Sequence, residues 1–145
     1  MTETPVLPPW ATSWPVARLA TVGTTHPHIV PVVFCEFRGA IYVPIDGKPK
    51  SGRRLQRLRN IERDAAVCLL VDAYDDDWSR LRWVRVDGRA EETPTTDAVA
   101  AVLRAKYPQY GSTPLGSSAI RITVDRVRSW RSQPGGELSA DPRGC

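Results

Sequence analysis

The chain has 145 residues, of which 41% are hydrophobic and 25% are charged, and its formal net charge is +4. These values are typical of one soluble globular domain with a core of its own. A helical membrane span is excluded, because no apolar run approaches the roughly 18 residues that it needs. The first ten residues lack the features of a signal peptide, and the three cysteines form no Cys-x-x-Cys pair. We therefore expect a reducing, cytoplasmic location.

Apolar residues alternate with a period of two along most of the chain, which predicts an antiparallel β protein. The predicted strands are 17–23, 28–37, 40–45, 66–73, 81–92 and 119–131. One helix is expected from Gly52 to about Arg63, and a second, capped by residues 95–97, is expected to run to about Tyr107. Six strands with a helix after the third and another before the last predict a small antiparallel barrel whose ends are covered by helices.

The barrel is expected over residues 16–131, between an extension of residues 1–15 and a flexible tail of residues 132–145. The tail is rich in Gly, Pro, Ser and charge, which is typical of a chain terminus without a core. Trp10 and Trp14 lie among prolines in the extension, and we expect them to cover a barrel end or a partner subunit.

Pro31 lies inside the second predicted strand. Proline has no N–H group, so it cannot donate a hydrogen bond to a neighbouring strand. Its position predicts a sheet edge, a bulge or a place where the backbone meets a ligand.

Positive charge is concentrated between Asp46 and Arg63, a segment with seven of the twenty Lys and Arg residues and only two acids. Its local net charge of +5 exceeds that of the whole chain. The first basic residues of this segment would lie beside the start of the predicted helix, where free N–H groups and the helix dipole also attract anions. The segment predicts an anion site, for a small phosphate-bearing molecule or for a polymer. A solvated basic helix face without a ligand is the open alternative.

The predicted helix has two distinct sides. Leu55, Leu58 and Ile61 recur at three-residue spacing, and we expect them to pack on the core. At about 100° per residue, the opposite side is polar. Its members are Arg53, Arg57 and Asn60.

Several stretches, taken in order, resemble a known family. Residues 17–23 (Ala-Arg-Leu-Ala-Thr-Val-Gly) and 27–34 (Pro-His-Ile-Val-Pro-Val-Val-Phe) resemble the opening of the pyridoxamine-phosphate-oxidase-like split β-barrel superfamily. Residues 46–50 and 55–61 look like its phosphate-binding segment, and residues 71–78 and 81–90 are similar to the hairpin that follows. Within the superfamily, the chain is most similar to the actinobacterial branch of deazaflavin (coenzyme F-420)-dependent enzymes.

The resemblance implies a six-stranded split β-barrel that forms a homodimer and binds a flavin or deazaflavin in a groove at the subunit interface. The ring would lie near the backbone of Pro31, Val32 and Val33. The phosphate end would lie at Lys48, Pro49, Lys50, Arg53 and Arg54, while Arg57 and Asn60 would meet the carboxylates of a deazaflavin tail. Trp78 and Trp83 would flank the ring from the other subunit, with a place in the core or the dimer interface as the alternative.

The implied activity is hydride transfer from reduced coenzyme F-420 to a small electron-poor organic substrate, without a catalytic side chain. FMN is the alternative cofactor. A carrier of flavin, deazaflavin or haem without turnover is the alternative function on the same barrel.

A nucleic-acid-binding module is a third hypothesis, favoured by a pI of about 9.2 and by the arginines of the helix. Against it, the charge is confined to one segment, and no aromatic residue interleaves that segment for base stacking. We expect neither a nucleic-acid nor a membrane partner. His26 and His28 are interpreted as turn and strand residues, because no third metal ligand has a useful spacing.

Overall fold

The computed structural model describes residues 5–46 and 54–132, which form one antiparallel sheet, bent into a half-barrel, with three helices packed on it. The expected mainly β, split-barrel architecture is confirmed. The strands are β1 (Ala17–Thr21), β2 (His28–Val32), β3 (Cys35–Phe37), β4 (Ala40–Ile45), β5 (Ala66–Ala73), β6 (Arg82–Pro94) and β7 (Ser118–Arg131). The helices are α1 (Pro9–Thr12), α2 (Gln56–Arg63) and α3 (Asp97–Lys106), and two 3₁₀ turns cover Trp78–Arg80 and Pro108–Gly111.

The strand order explains how the sheet closes. The order is β2-β1-β5-β6-β7-β4-β3, and all neighbouring pairs are antiparallel. β2 and β3 are consecutive in the chain, yet they lie at opposite edges of the sheet. Only Val33 and Phe34 separate them. The sheet must therefore curl until its two edges approach each other, and the backbone of these two residues connects the edges.

The prediction of one strand over 28–37 is wrong, and the described residues form seven strands rather than six. Residues 28–32 pair with β1, whereas residues 35–37 pair with β4. Val33 and Phe34 lie where the chain passes from one neighbouring strand to the other. The run of apolar residues continues across this break, so the sequence pattern does not reveal it.

The inner face of the sheet carries the main core. Its fully buried members include Leu19, Leu69, Val84 and Ile122. Leu58 and Ile61 of α2 are buried in the same cluster, and Leu55 packs against it, which confirms the predicted apolar side of this helix. Trp10 and Trp14 also pack against this core, with their rings edge to face.

A second hydrophobic cluster lies under α3. Cys35 of β3 packs there with Leu103 and Tyr107, and Tyr42 of β4 packs against them. Tyr42 alternates along β4 with the core residues on either side of it. The second cluster therefore lies on the outer face of the sheet, so α3 covers that face over β3 and β4.

α2 begins later than predicted. Its N-cap is Leu55, with φ −56° and ψ 142°, and no side chain caps the helix. The predicted start at Gly52 lies outside the described residues, as does the predicted tail after Ser132. In the part of the chain that the structure describes, no helix is long and apolar enough to cross a membrane.

Candidate functional site

The predicted anion site is only partly described by the structure. Lys48, Pro49, Lys50 and Arg53 lie outside the described residues, so their predicted contacts stay predictions. The described flanks of the site are Asp46, directly after β4, and the segment from Arg54 into α2.

Arg57 of α2 differs from its neighbours on the same helix. Arg57 is half-buried, whereas Arg59 and Arg63 are exposed. Its Nε atom is buried and has no hydrogen-bond partner among the described residues. Burial lowers the pKa of the Arg57 guanidinium, and the carboxylate of Asp46 acts in the opposite direction. A half-buried cation with an unused donor is a suitable partner for an anionic group.

Asp46 is held by the connection between α3 and β7. The Tyr110 hydroxyl donates to Asp46 Oδ2 at 2.5 Å, and the Gly116 N–H lies 3.5 Å from Oδ1. Burial, followed by this bond, raises the pKa of Tyr110. The backbone of Gly116 lies so close to Ile45 that an added Cβ would be 1.6 Å from the Ile45 carbonyl oxygen. The connection is therefore packed against the point where the basic segment begins.

Arg54 is already paired with carboxylates. Its guanidinium lies 2.5 Å from Glu62 and 2.6 Å from Glu92, and the Ser118 hydroxyl donates to Glu92 at 2.9 Å. The positive charge of Arg54 is thus offset within the protein. The predicted contact between Arg54 and a phosphate would require these ion pairs to open.

The predicted placement of Asn60 is wrong. Its side chain is fully buried, although the helix pattern assigned it to the outward, polar side. Asn60 Nδ2 donates to the Thr21 hydroxyl at 2.9 Å, and Asn60 Oδ1 accepts from Gln56 Nε2 at 2.7 Å. Asn60 thus connects α2 to β1, because Thr21 presents a polar group to the helix from an otherwise apolar strand. Because the amide is fully buried and bonded within the protein, it presents no group at the surface for a cofactor tail.

The predicted ring-binding residues lie at a sheet edge. β2 is an edge strand, which confirms one of the positions predicted from Pro31. Pro31 is exposed and pairs with Arg18 of β1, while Val32 is buried in the main core and Val33 packs against the cluster under α3. An edge strand leaves one row of backbone N–H and C=O groups without a strand neighbour. Such groups are available to a planar ring with polar edges.

The break after β2 is held by the end of α3. The Tyr107 hydroxyl accepts a hydrogen bond from the Phe34 N–H at 3.0 Å and lies 3.1 Å from the Phe34 carbonyl oxygen. Lys106 Nζ donates to the same carbonyl at 2.9 Å and lies 3.5 Å from the centre of the Phe34 ring. Burial lowers the pKa of Lys106 to about 8 and raises that of Tyr107 to about 12.

The outer face of the sheet is open over β1, β5 and β6, since the described residues place no helix there. This face carries a cavity of about 400 Å³, whose lining includes Ile29, Leu70, Tyr74 and Trp83. Ile29 is 64% exposed, a high value for a large aliphatic side chain. Trp83 is half-buried on β6, and Trp78 is 63% exposed on the 3₁₀ turn that precedes it. The predicted contact of both tryptophans with a ring stays a prediction.

The sequence does not reveal the contacts of Lys106, Tyr107 and Tyr110, because their hydrogen-bond partners lie far along the chain. Lys106 and Tyr107 are 72 and 73 residues from Phe34, and Tyr110 is 64 residues from Asp46. The available signal was an aromatic residue directly before Pro108, at the end of an amphipathic helix. Such a residue often packs on the sheet below the helix, but its hydrogen-bond partner cannot be inferred from this position.

Most of the chain matches the profile of one protein family. The profile of a protein family described as pyridoxamine 5'-phosphate oxidase matches residues 10–131, which is most of the chain. The match includes both edge strands, α2 and all of α3. No curated protein matches the chain in sequence.

Solved structures share the fold. A conserved hypothetical protein from Mycobacterium tuberculosis, Rv2991, is 23% identical with a TM-score of 0.65, over 88% of this chain and 86% of that one. A FAD-binding protein from Mesorhizobium loti is 22% identical with a TM-score of 0.57, over 81% and 84% of the two chains. The FAD binding protein from Mycobacterium smegmatis is 17% identical with a TM-score of 0.52, over 84% and 90%. At these identities, the likeness extends to the fold alone.

Proposed function

The chain belongs to the pyridoxamine 5'-phosphate oxidase family, and from that premise we propose that it binds a flavin-type cofactor and acts as an oxidoreductase. The observation that carries the proposal is the half-buried Arg57 guanidinium, whose Nε has no partner among the described residues. Arg57 lies within the basic segment, on the first turn of α2, so it would bind the anionic end of the cofactor. The FAD-binding proteins of similar fold support a cofactor of this type.

Coenzyme F-420 is the cofactor that we propose, with FMN as the alternative. The two share a phosphate, but the deazaflavin continues into a tail with several carboxylates. The basic segment from Asp46 to Arg63 carries more positive charge than one phosphate requires, which favours the longer and more acidic cofactor. When bound and reduced, such a cofactor supplies hydride to a small electron-poor organic substrate. The residues of this chain bind the cofactor, orient it and exclude water.

Each part of the site has a distinct task in this proposal. Arg57 and the basic residues before α2 would hold the anionic groups. The end of the edge strand, at Pro31 and Val32, and the adjoining Val33 would present their backbone to the ring. Arg54 is less available to bind the phosphate, because its charge is already paired with Glu62 and Glu92.

We also propose that the protein is a homodimer in which the open face of β1, β5 and β6 meets a second copy. The face combines exposed Ile29 with Leu70 and Trp83 around its cavity. Aromatic and aliphatic side chains of this kind are typical of interface centres. Arg18 and Asp72 on the same face lie 3.7 Å apart and supply both signs of charge. In this arrangement Trp83 and Trp78 would approach the ring bound by the partner.

The first test is a titration of the purified protein with coenzyme F-420 and, in parallel, with FMN, followed by fluorescence quenching or calorimetry. Arg57→Met should weaken binding of the preferred cofactor about 10- to 100-fold, because it removes a charge-assisted contact. Arg59→Met is the matched control: it removes the same charge from the exposed side of α2 and should change the affinity less than about threefold. Equal effects of the two variants would contradict the assignment of Arg57.

The choice of cofactor follows from the same titration. Tight binding of F-420 with weak binding of FMN supports the deazaflavin proposal and justifies a substrate screen with the reduced cofactor. Preferential binding of FMN would show that the cofactor is an ordinary flavin and not F-420. Binding without turnover of any electron acceptor would favour a carrier, and binding of neither cofactor would overturn the proposed function.

The dimer is tested by light scattering coupled to size-exclusion chromatography. The wild type should elute as a dimer, and Leu70→Asp should shift it toward the monomer, because it places a charge on the apolar face. Ala101→Asp, on the exposed surface of α3, is the control and should stay dimeric. A monomeric wild type would refute the proposed interface.

A further inference from the structure

The backbone at the break between β2 and β3 needs hydrogen-bond partners outside the sheet. Phe34 lies in neither ladder, and its side chain is fully buried in the main core. A buried N–H or C=O group without a partner costs free energy comparable to a lost hydrogen bond. The break therefore depends on the groups that replace the missing strand neighbour.

Tyr107 and Lys106 supply these groups from the end of α3. The Tyr107 hydroxyl accepts from the Phe34 N–H and lies 3.1 Å from the Phe34 carbonyl oxygen and 3.0 Å from the Pro15 carbonyl oxygen. A hydroxyl has a single proton, so it donates to one of these carbonyls at a time. Lys106 Nζ donates to the Phe34 carbonyl at 2.9 Å and keeps it bonded when the hydroxyl turns to Pro15.

Tyr107 is itself held in place by its neighbours. Tyr107 is 7% exposed, and its backbone N–H donates to the Leu103 carbonyl at the end of α3. Its ring packs edge to face on Tyr110, with the centroids 6.2 Å apart. Tyr110 in turn donates to Asp46, where the basic segment begins. This pair of tyrosines thus contacts the break after β2, at Phe34, and Asp46 at the start of the basic segment.

We propose that Tyr107 is a positioning residue for the cofactor: by holding the Phe34 backbone, it sets the position of Pro31–Val33 relative to Asp46. The proposal rests on the proposed function, because it assumes that the ring lies along β2. Tyr107 itself has no contact with the cofactor in this proposal. Its effect passes through the backbone of Phe34 and through its ring contact with Tyr110.

The test compares Tyr107→Phe with Tyr42→Phe. The control removes a hydroxyl from the same cluster under α3, but that hydroxyl contacts Arg121 Nε, at 3.3 Å, and not the break. We expect Tyr107→Phe to weaken binding of F-420, or of FMN if that is the preferred cofactor, about tenfold. We also expect a change in the visible circular dichroism of the bound ring, since its asymmetric surroundings shift. Tyr42→Phe should leave both readouts as in the wild type.

The circular dichroism separates positioning from stability. A Tyr107→Phe protein that melts at a lower temperature, yet binds with wild-type affinity and an unchanged spectrum, would overturn the proposal. If Tyr107→Phe does not fold, Lys106→Met removes the second donor to the same carbonyl and should shift the spectrum in the same direction. An unchanged spectrum and affinity in that variant would also overturn it.

Failure of the proposed function has a different signature. A wild-type protein that binds neither F-420 nor FMN would refute the cofactor and this inference together. A wild-type protein that binds, combined with a Tyr107→Phe variant that binds identically, would refute the inference alone.

Discussion

Replacement of the buried Asn60 by alanine should destabilise the protein without acting on the cofactor site directly. Asn60 is fully buried, and its amide joins the Thr21 hydroxyl of β1 to the Gln56 side chain of α2. In Asn60→Ala, the Thr21 hydroxyl, which is 3% exposed, loses its donor. Gln56 is exposed and exchanges its lost partner for water.

The expected loss of stability follows from the surroundings of Thr21 and Gln56. A buried polar group left without its partner costs about 1–3 kcal/mol, and the small cavity adds about 1 kcal/mol. The free energy of unfolding should therefore fall by about 2–4 kcal/mol. For a domain of this size, that lowers the melting temperature by roughly 5–15 °C. Gln56→Ala is the control and should cost less than about 0.5 kcal/mol, because its side chain lies at the surface.

Urea unfolding monitored by tryptophan fluorescence measures the change, and a double-mutant cycle identifies its cause. Thr21→Val removes the orphaned hydroxyl, so it should be nearly neutral in the Asn60→Ala background although it destabilises the wild type. The expected coupling is about 1–2 kcal/mol. Additive effects of the two substitutions would refute the hydrogen bond as the cause. Loss of cofactor affinity in folded Asn60→Ala, at unchanged stability, would instead restore the sequence prediction of a cofactor contact.

Two further predictions concern charge and close packing. Burial lowers the pKa of Lys106 to about 8. Above that pH the unfolded chain therefore binds more protons than the folded one, and the free energy of unfolding should rise with pH. Because Lys106 is partly exposed, the effect is reduced: between pH 7.5 and 9.5 the free energy of unfolding of the wild type should rise by about 1 kcal/mol relative to that of Lys106→Met. If the two proteins show parallel curves of stability against pH, the pKa of Lys106 is not lowered. Gly116→Ala should lower the free energy of unfolding by about 1–3 kcal/mol, because its Cβ would collide with the Ile45 carbonyl oxygen. Gly111→Ala in the same connection, where a Cβ would meet nothing within 4 Å, should be tolerated in the same urea titration.

The local elements of this protein are readable from its sequence. Strand positions follow from alternation, because neighbouring side chains of a strand point to opposite faces and, outside the part covered by α3, the inner face is the more buried one. The apolar side of α2 is readable for a similar reason, since residues three and four apart lie on one side of a helix. Pro31 indicated a sheet edge because a residue without an N–H group is poorly placed between two strands. The order of the motifs was sufficient to suggest the family that the profile match shows.

The tertiary structure decided which of these elements meet. The change of partner between β2 and β3 is invisible in a continuous apolar run, because it depends on which strands flank the two segments. Asn60 is buried because Thr21, 39 residues away, offers it a hydrogen bond, and Arg54 is neutralised by Glu92, 38 residues away. A helix pattern assigns such residues to a polar side but does not contain their partners. Contacts between distant residues form only when the sheet curls, and those contacts determine which cations remain free to bind an anion.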